Sequence, residues 1–154
     1  SSLHTNDAPS TISRLIDIGA QPYLISATLL GIIAQRLIRT LCPHCKQPAE
    51  IDRNAWEKLI APAKTKLPKS VFQSAGCDEC RHTGYMGRVG IYESLMIDKD
   101  IRKSISTNND LHYYYQAAEK QGMRNLRLSG AQKVADGLTT LEEIYSVVPP
   151  NKDE

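Results

Sequence analysis

Apolar residues follow a helical period at both ends of this chain and lose it in the middle. Ile12, Leu15 and Ile16 share one helical face. Asp7 is placed to cap that helix, Pro9 lies in its first turn where a missing N–H does no harm, and Gly19 is placed to end it. Pro22 restarts the chain near a second helix. Leu24, Ile25, Leu29, Leu30, Ile32 and Ile33 are too many apolar positions for a surface helix, and they predict a buried segment. The pattern changes near Gly31. Residues 34–41 are compatible with a continued helix or a strand, with a strand favoured for the second half. Residues 89–97 are rich in β-formers and predict a strand. If 34–41 and 88–97 pair, whatever lies between them sits at the tip of a hairpin.

The rest of the chain reads as helices. Asp98 is placed to cap one that carries Ile101 and Ile105. Asn108 or Asn109 starts another, through Leu111, Tyr114, Ala117 and Ala118, ended by Gly122. A third runs over 124–136 with Gly137 at its C-terminus. Thr139-Thr140-Leu141-Glu142 reads as a capping box opening a last helix, which Pro149-Pro150 stops before a polar tail. Tyr113, Tyr114 and Tyr115 cannot all face one way on a helix, so at least one is predicted to be exposed, where it could meet a partner.

The middle carries the chemistry. Cys42-Pro43-His44-Cys45 and Cys77-Asp78-Glu79-Cys80 contain all four cysteines. Two residues between cysteines make a tight knuckle that sets both thiolates on one face of a tetrahedral ion. Two such pairs complete the closed shell of a structural zinc site. The 31 residues between Cys45 and Cys77 exceed the usual ribbon spacing, so the pairs are expected to close around a small inserted subdomain. Two disulfides, four free core cysteines or a redox pair are the alternatives. A thioredoxin-like dithiol needs only one such pair, after a strand. Within the insertion, Asp52 is placed to cap a short helix with Trp56, Leu59 and Ile60, and Trp56 reads as the anchor of a small core. Lys64, Lys66 and Lys69 lie in a proline-punctuated loop and read as solvated. Gly84, Gly87 and Gly90 lack the GxGxxG dinucleotide spacing and read as a turn into a strand.

At 154 residues the chain is long enough to bury a core as one domain, or one domain with an insertion. The formal net charge is +2. Four thiolates and one Zn²⁺ bring it to about 0, which opposes a strong electrostatic attraction to nucleic acid. The longest apolar run, 23–34, is too short for a membrane span. Thiols read as metal ligands, with no secretory leader evident, suggest a reducing compartment. The chain opens at Ser1-Ser2-Leu3-His4 without an initiator Met and runs straight into a helix start, so it reads as a piece of a longer protein.

Five ordered motifs then carry a resemblance: Leu3-His4-Thr5-Asn6-Asp7-Ala8-Pro9; Ala34-Gln35-Arg36-Leu37; the paired knuckles; Gly84-Tyr85-x-Gly87-Arg88-x-Gly90-Ile91-Tyr92-Glu93; and Gly137-x-Thr139-Thr140-Leu141-Glu142-Glu143. Together they resemble the C-terminal part of the ATPases of type II secretion and type IV pilus assembly, of the secretion ATPase superfamily. The resemblance implies an α/β fragment, mainly helical: residues 1–41 as the C-terminal part of a RecA-like ATPase domain, 42–82 as a tetracysteine zinc-binding subdomain, and 83–154 as a strand returning to the core with a C-terminal helical subdomain. It implies that His4 is the histidine of the family's His box, near the nucleotide's terminal phosphate, and that Cys42, Cys45, Cys77 and Cys80 bind zinc. It implies a homo-hexameric motor in the full-length parent. That motor is expected to be cytoplasmic, peripheral to the inner membrane, and to work with inner-membrane platform or cytoplasmic-domain proteins of the machine. Pilus retraction ATPases lack the insertion, so its presence favours the assembly or secretion branch.

The chain departs from a complete motor in one respect. It contains no GxxxxGK[ST] loop and no Walker B strand, the parts that hold a triphosphate and its metal. ATP and Mg²⁺ are thus expected in the full-length parent only, and the fragment alone is expected to be inactive. Without the resemblance, His4 reads as a surface histidine beside a helix N-terminus. Two rival classes remain at this stage: a zinc-ribbon-like nucleic-acid or protein interaction module, and a zinc-stabilised scaffold with no motor parentage.

Overall fold

The computed structural model describes residues 2–107 and 110–149. It is a mixed α/β structure. Two strands, β1 (Gly31–Leu41) and β4 (Tyr85–Met96), pair as a ribbon. Leu30 C=O accepts from Ile97 N–H at 3.0 Å, and Cys42 N–H donates to Gly84 C=O at 2.9 Å, so the strands run antiparallel. The chain divides into two compact units, Ser1–Gln35 with Tyr92–Asn125, and Arg36–Ile91 with Leu126–Glu154.

The first unit is built from α1 (Ala8–Asp17), α2 (Pro22–Thr28), α4 (Lys99–Thr107) and α5 (Leu111–Lys120). Packing is pairwise, α1 on α5 and α2 on α4, with α4 also on α5. Ile12, Ile101, Ile105, Leu95 and Tyr114 are fully buried between them. The Asp7 cap forms as expected, Oδ1 accepting from Ser10 N–H at 2.9 Å. Asp98 Oδ1 accepts from Ile101 N–H at 3.0 Å. The Ile101 N–H, then Gln121, holds this carboxyl below its usual range. The start of α5 expected at Asn108 or Asn109 lies outside the described residues; the cap observed is Asp110, whose Oδ1 accepts from His112 N–H. Of the tyrosine run, Tyr114 is buried, Tyr115 half-buried and Tyr113 exposed.

The buried segment expected over 24–33 is corrected. Helix α2 is short, Ile25 is its buried residue, and Leu30 and Ile33 are 74% and 72% exposed. The strand starts at Gly31 and takes in all of 34–41, where a strand was favoured only for the second half, so the later apolar positions alternate about a ribbon instead of clustering on a helix face. Arg102 of α4 donates to the carbonyls of Ser26 and Leu29, which satisfies the C-terminal end of α2.

The second unit holds the cysteines. Two three-residue strands, β2 (Gln47–Ala49) and β3 (Val71–Gln73), pair antiparallel with Pro48 opposite Phe72. Between them lies α3 (Arg53–Ile60), capped by Asp52, with Trp56, Leu59 and Ile60 buried. This helix packs on α6 (Leu126–Ala135) and α7 (Leu141–Val147). Tyr145 Oη–H donates to Ala55 C=O at 2.7 Å. Gly130 lets α6 and α7 close up: a Cβ there would meet Ile144 Cδ1 at 2.8 Å. The Thr139–Glu142 capping box is corrected by one residue. Thr140 is the cap, its Oγ1 accepting from Glu143 N–H at 3.2 Å, while Thr139 Oγ1 donates to Arg39 C=O. Glu143 does not fold back on the cap; its carboxylate goes to Arg39. None of the helices among the described residues is long and apolar enough to cross a membrane.

Candidate metal centre

The first knuckle forms where β1 ends. Leu41 N–H donates to Leu138 C=O at 2.8 Å, which anchors the strand end, and the chain then turns on Cys42 C=O, which accepts from Lys46 N–H at 3.0 Å. Lys46 is itself fixed: its Nζ donates to Gly137 C=O at 3.0 Å and lies 4.5 Å from the Phe72 ring centroid. The second knuckle precedes β4. One 3₁₀ turn, Asp78–Cys80, brings Cys80 N–H and His82 N–H onto Cys77 C=O at 3.2 and 2.8 Å. Arg81 and His82 then take left-handed backbone, φ 54° and 61°, and Gly84 follows at φ 76°. A side chain at Gly84 would place Cβ 2.5 Å from Ser74 Cβ. The glycine read from sequence as part of a turn is thus required by both its backbone and its neighbour.

These turns bring all four sulfurs together. Cys42 and Cys77 Sγ are 3.9 Å apart, Cys45 and Cys80 3.8 Å, and Cys77 and Cys80 3.8 Å. All four lie within 4.8 Å of one another. A disulfide would need ~2.0 Å, and no disulfide joins these cysteines, so the two-disulfide alternative does not describe this structure. Four thiolates at ~2.3 Å from a tetrahedral ion have their sulfurs ~3.8 Å apart. The donor set fits that ion in both chemistry and spacing.

Backbone donors surround the sulfurs. Gly76 N–H donates to Cys45 Sγ at 3.3 Å, and Cys77 N–H and Gly84 N–H both donate to Cys80 Sγ at 3.2 Å. Burial resists ionisation of Cys80, but those two N–H groups, together with the Cys77 and Cys45 thiols, outweigh it and lower its pKa to about 6. Cys77 differs: the backbone at Cys80 favours its thiolate, but burial and the neighbouring sulfurs of Cys45, Cys80 and Cys42 push it up to about 11. Four crowded thiols cannot all lose protons unless a cation balances them. Cys42 and Cys80 are buried and Cys45 and Cys77 half-buried, and four protein sulfurs leave no position for a water. A metal held by these four sulfurs would support folding and do no chemistry of its own. His82 Nε2 lies 2.9 Å from Asp78 Oδ1, but both side chains are at least 75% exposed, and a pair of this kind contributes little.

His4 belongs to the other unit. It is exposed, in a non-helical segment just before α1. The sequence pointed to the four cysteines and to His4. It gave no local signal for Lys46 or for the two sulfur-directed glycine N–H groups, whose partners are set by long-range folding.

Residues 1–146 match the family described as Type II/IV secretion system protein. The chain belongs to this family. Its relatives include the type IV pilus assembly ATPase TfpB of Acinetobacter baylyi, 48% identical over 149 residues, which are 97% of this chain and 26% of the relative. The type II secretion system ATPase E of Vibrio cholerae is 41% identical over 150 residues, 96% of this chain and 29% of the relative. The type IV pilus assembly ATPase PilB of Myxococcus xanthus is 40% identical over 153 residues, 99% of this chain and 27% of the relative. The chain thus spans between a quarter and a third of the length of these secretion-family relatives. The family resemblance read from the five motifs holds over nearly the whole sequence.

Proposed function

We propose that this chain is the C-terminal part of a hexameric cytoplasmic ATPase, peripheral to the inner membrane, that powers type IV pilus or pseudopilus assembly and type II secretion. In this reading residues 1–41 complete a RecA-like ATPase domain, 42–82 form a zinc-binding subdomain, and 83–154 return to the core and add a helical subdomain. Cys42, Cys45, Cys77 and Cys80 hold one structural Zn²⁺, and His4 acts near the terminal phosphate of ATP. The partners are identical subunits and the inner-membrane platform or cytoplasmic-domain proteins of the machine. The observation that carries the reading is the family match over residues 1–146, supported by sulfur spacings of 3.8–3.9 Å that suit a four-thiolate ion.

The chain's own residues do not make a phosphate cradle, since the sequence has no GxxxxGK[ST] loop. Binding of ATP and Mg²⁺ is therefore assigned to the rest of the full-length protein. Two measurements test the reading together. The gene upstream of Ser1 is expected to encode a GxxxxGK[ST] loop, and the purified full-length protein is expected to hydrolyse ATP. An upstream region without that loop would leave a zinc-stabilised scaffold as the better account.

A further inference from the structure

The helix that follows His4 starts where an anion would be attracted, but its first donors are already taken. Ala8 N–H donates to Glu93 Oε1, and Ser10 N–H donates to Asp7 Oδ1 at 2.9 Å. Two carboxylates thus occupy the positive end of α1, and a third anion there would meet repulsion. Any action of His4 on a phosphate must come through its ring. An exposed ring is effective only if the segment that carries it is held still.

That segment is held from three sides. From α5, Tyr115 Oη–H donates to Asp7 Oδ2 at 2.6 Å. From β4, Glu93 reaches Ala8, and Glu93 is only 4% exposed. From α1, the Thr11 and Ser10 hydroxyls donate to Asp7 C=O at 3.0 and 3.2 Å, and the Thr5 and Thr11 hydroxyls are 2.8 Å apart. Burial, then the Asp7 and Glu93 carboxylates, keeps the Tyr115 phenol protonated far above its usual range, so it remains a donor. A carboxylate buried on a strand is costly beside an apolar residue of the same size, unless it has work to do. Here the work is to fix the four residues directly after His4.

We propose that Tyr115 and Glu93 are positioning residues for His4, pinning residues 5–8 so that the imidazole is presented in one place. This rests on the reading above, in which His4 acts near the terminal phosphate.

The test is a four-cornered cycle of ATP turnover in the full-length protein: wild type, Tyr115→Phe, His4→Ala and the double variant. Tyr115→Phe removes one hydroxyl and leaves the Asp7 cap on Ser10, so the fold is retained. It is expected to lower kcat on the order of tenfold with KM within about twofold. In the His4→Ala background the same change is expected to cost less than about twofold, because Tyr115 acts through His4. Equal losses in both backgrounds, or no loss in either, overturn the proposal. A His4→Ala variant with unchanged kcat overturns the reading of His4 itself and the proposal with it, and that result is read at a separate corner of the cycle. A second pair checks the other anchor. Glu93→Gln keeps an oxygen for Ala8 N–H and is expected to retain roughly half or more of the turnover, whereas Glu93→Leu repeats the Tyr115→Phe loss. A Glu93→Leu loss that persists in full without His4 overturns the assignment of Glu93.

Discussion

Glu143 holds Arg39 by its backbone and its side chain at once. Glu143 Oε1 accepts from Arg39 N–H at 2.9 Å, and Oε2 accepts from Arg39 Nε at 2.8 Å and from a terminal guanidinium nitrogen. The guanidinium carbon also lies 4.2 Å from the Tyr85 ring centroid, and Tyr85 Oη is 2.9 Å from Thr140 Oγ1. With Thr139 on Arg39 C=O and Leu138 C=O on Leu41 N–H, residues 138–143 take up backbone groups of β1 at Arg39 and Leu41. The Gly137-to-Glu143 motif therefore serves as an edge cover for β1 as well as the start of α7.

Removing the Glu143 carboxylate leaves the Arg39 backbone N–H without its acceptor. Glu143→Ala is expected to destabilise by about 1–3 kcal/mol, the cost of an unsatisfied donor together with a lost charged hydrogen bond. The charge-pair share stays small because the Arg39 side chain is 54% exposed. Denaturant midpoints of the two proteins give the value. A difference below about 0.5 kcal/mol would mean that water replaces the carboxylate freely.

The same pair fixes a pH dependence. Burial resists ionisation of Glu143, but its bonds to Arg39 outweigh burial and hold its carboxyl below the usual value of 4.5. A folded pKa below the unfolded one gives stability that is fully present above pH 4.5 and lost as the pH falls through the folded value. The gap in stability between wild type and Glu143→Gln is expected to be constant near neutrality and to narrow below pH 4.5. Comparing the two proteins would cancel any acid release of a bound metal, which would act on both. A gap that widens on acidification would reverse the assigned sign.

At the cysteines, one zinc per chain is expected in protein purified under reducing conditions, with Zn–S near ~2.3 Å. Replacing the metal with cobalt should give the intense visible absorption of a tetrahedral four-thiolate site, and Cys77→Ser should weaken it. Elemental analysis finding no metal would remove the zinc assignment.

Chelation tests what the metal supports. From sequence alone, disorder is expected mainly over 42–82, with the C-terminal helices largely intact. The contacts lead to a wider expectation. Lys46, next to Cys45, is bonded to Gly137, α3 packs on α6 and α7, and a Cβ at Gly137 would lie 2.9 Å from Phe72. Amide exchange after chelation should therefore quicken over residues 42–84 and also in α6 and α7, while α1, α2, α4 and α5 change little. Uniform quickening along the chain would show that the metal supports the whole molecule instead of one unit.

The clustering of the four cysteines was legible because its rule is local: two residues between paired cysteines set the knuckle whatever surrounds it. The caps at Asp7, Asp52 and Asp98 were legible for the same reason. What escaped depended on distant partners. Leu30 and Ile33 are apolar yet outward-facing, so they imitated a buried helix until the ribbon was seen. The strands β2 and β3 have three residues each, too few to show a period. In Thr139-Thr140-Leu141-Glu142-Glu143 two registers of capping box are almost equivalent locally. Thr139 and Glu143 both turn to Arg39, 100 and 104 residues earlier, and that decides between them.

His4 is the remaining expectation, and it separates two physical roles. This chain alone should show no ATP turnover, because its sequence has no GxxxxGK[ST] loop to cradle a triphosphate. In the full-length protein, His4→Ala should lower kcat on the order of 100-fold, as loss of a preorganised group facing developing charge does. It should change KM far less, because most ground-state affinity comes from a phosphate loop and its Mg²⁺. If His4 merely precedes a cap, the outcome is different. Asp7 already supplies the cap and Tyr115 and Glu93 hold the segment, so truncating an exposed ring would alter neither stability nor rate. Measuring kcat, KM and the melting temperature of that single variant distinguishes the two: a normal kcat would leave His4 a surface residue, whereas a fallen kcat at an unchanged melting temperature would place its imidazole in the reaction.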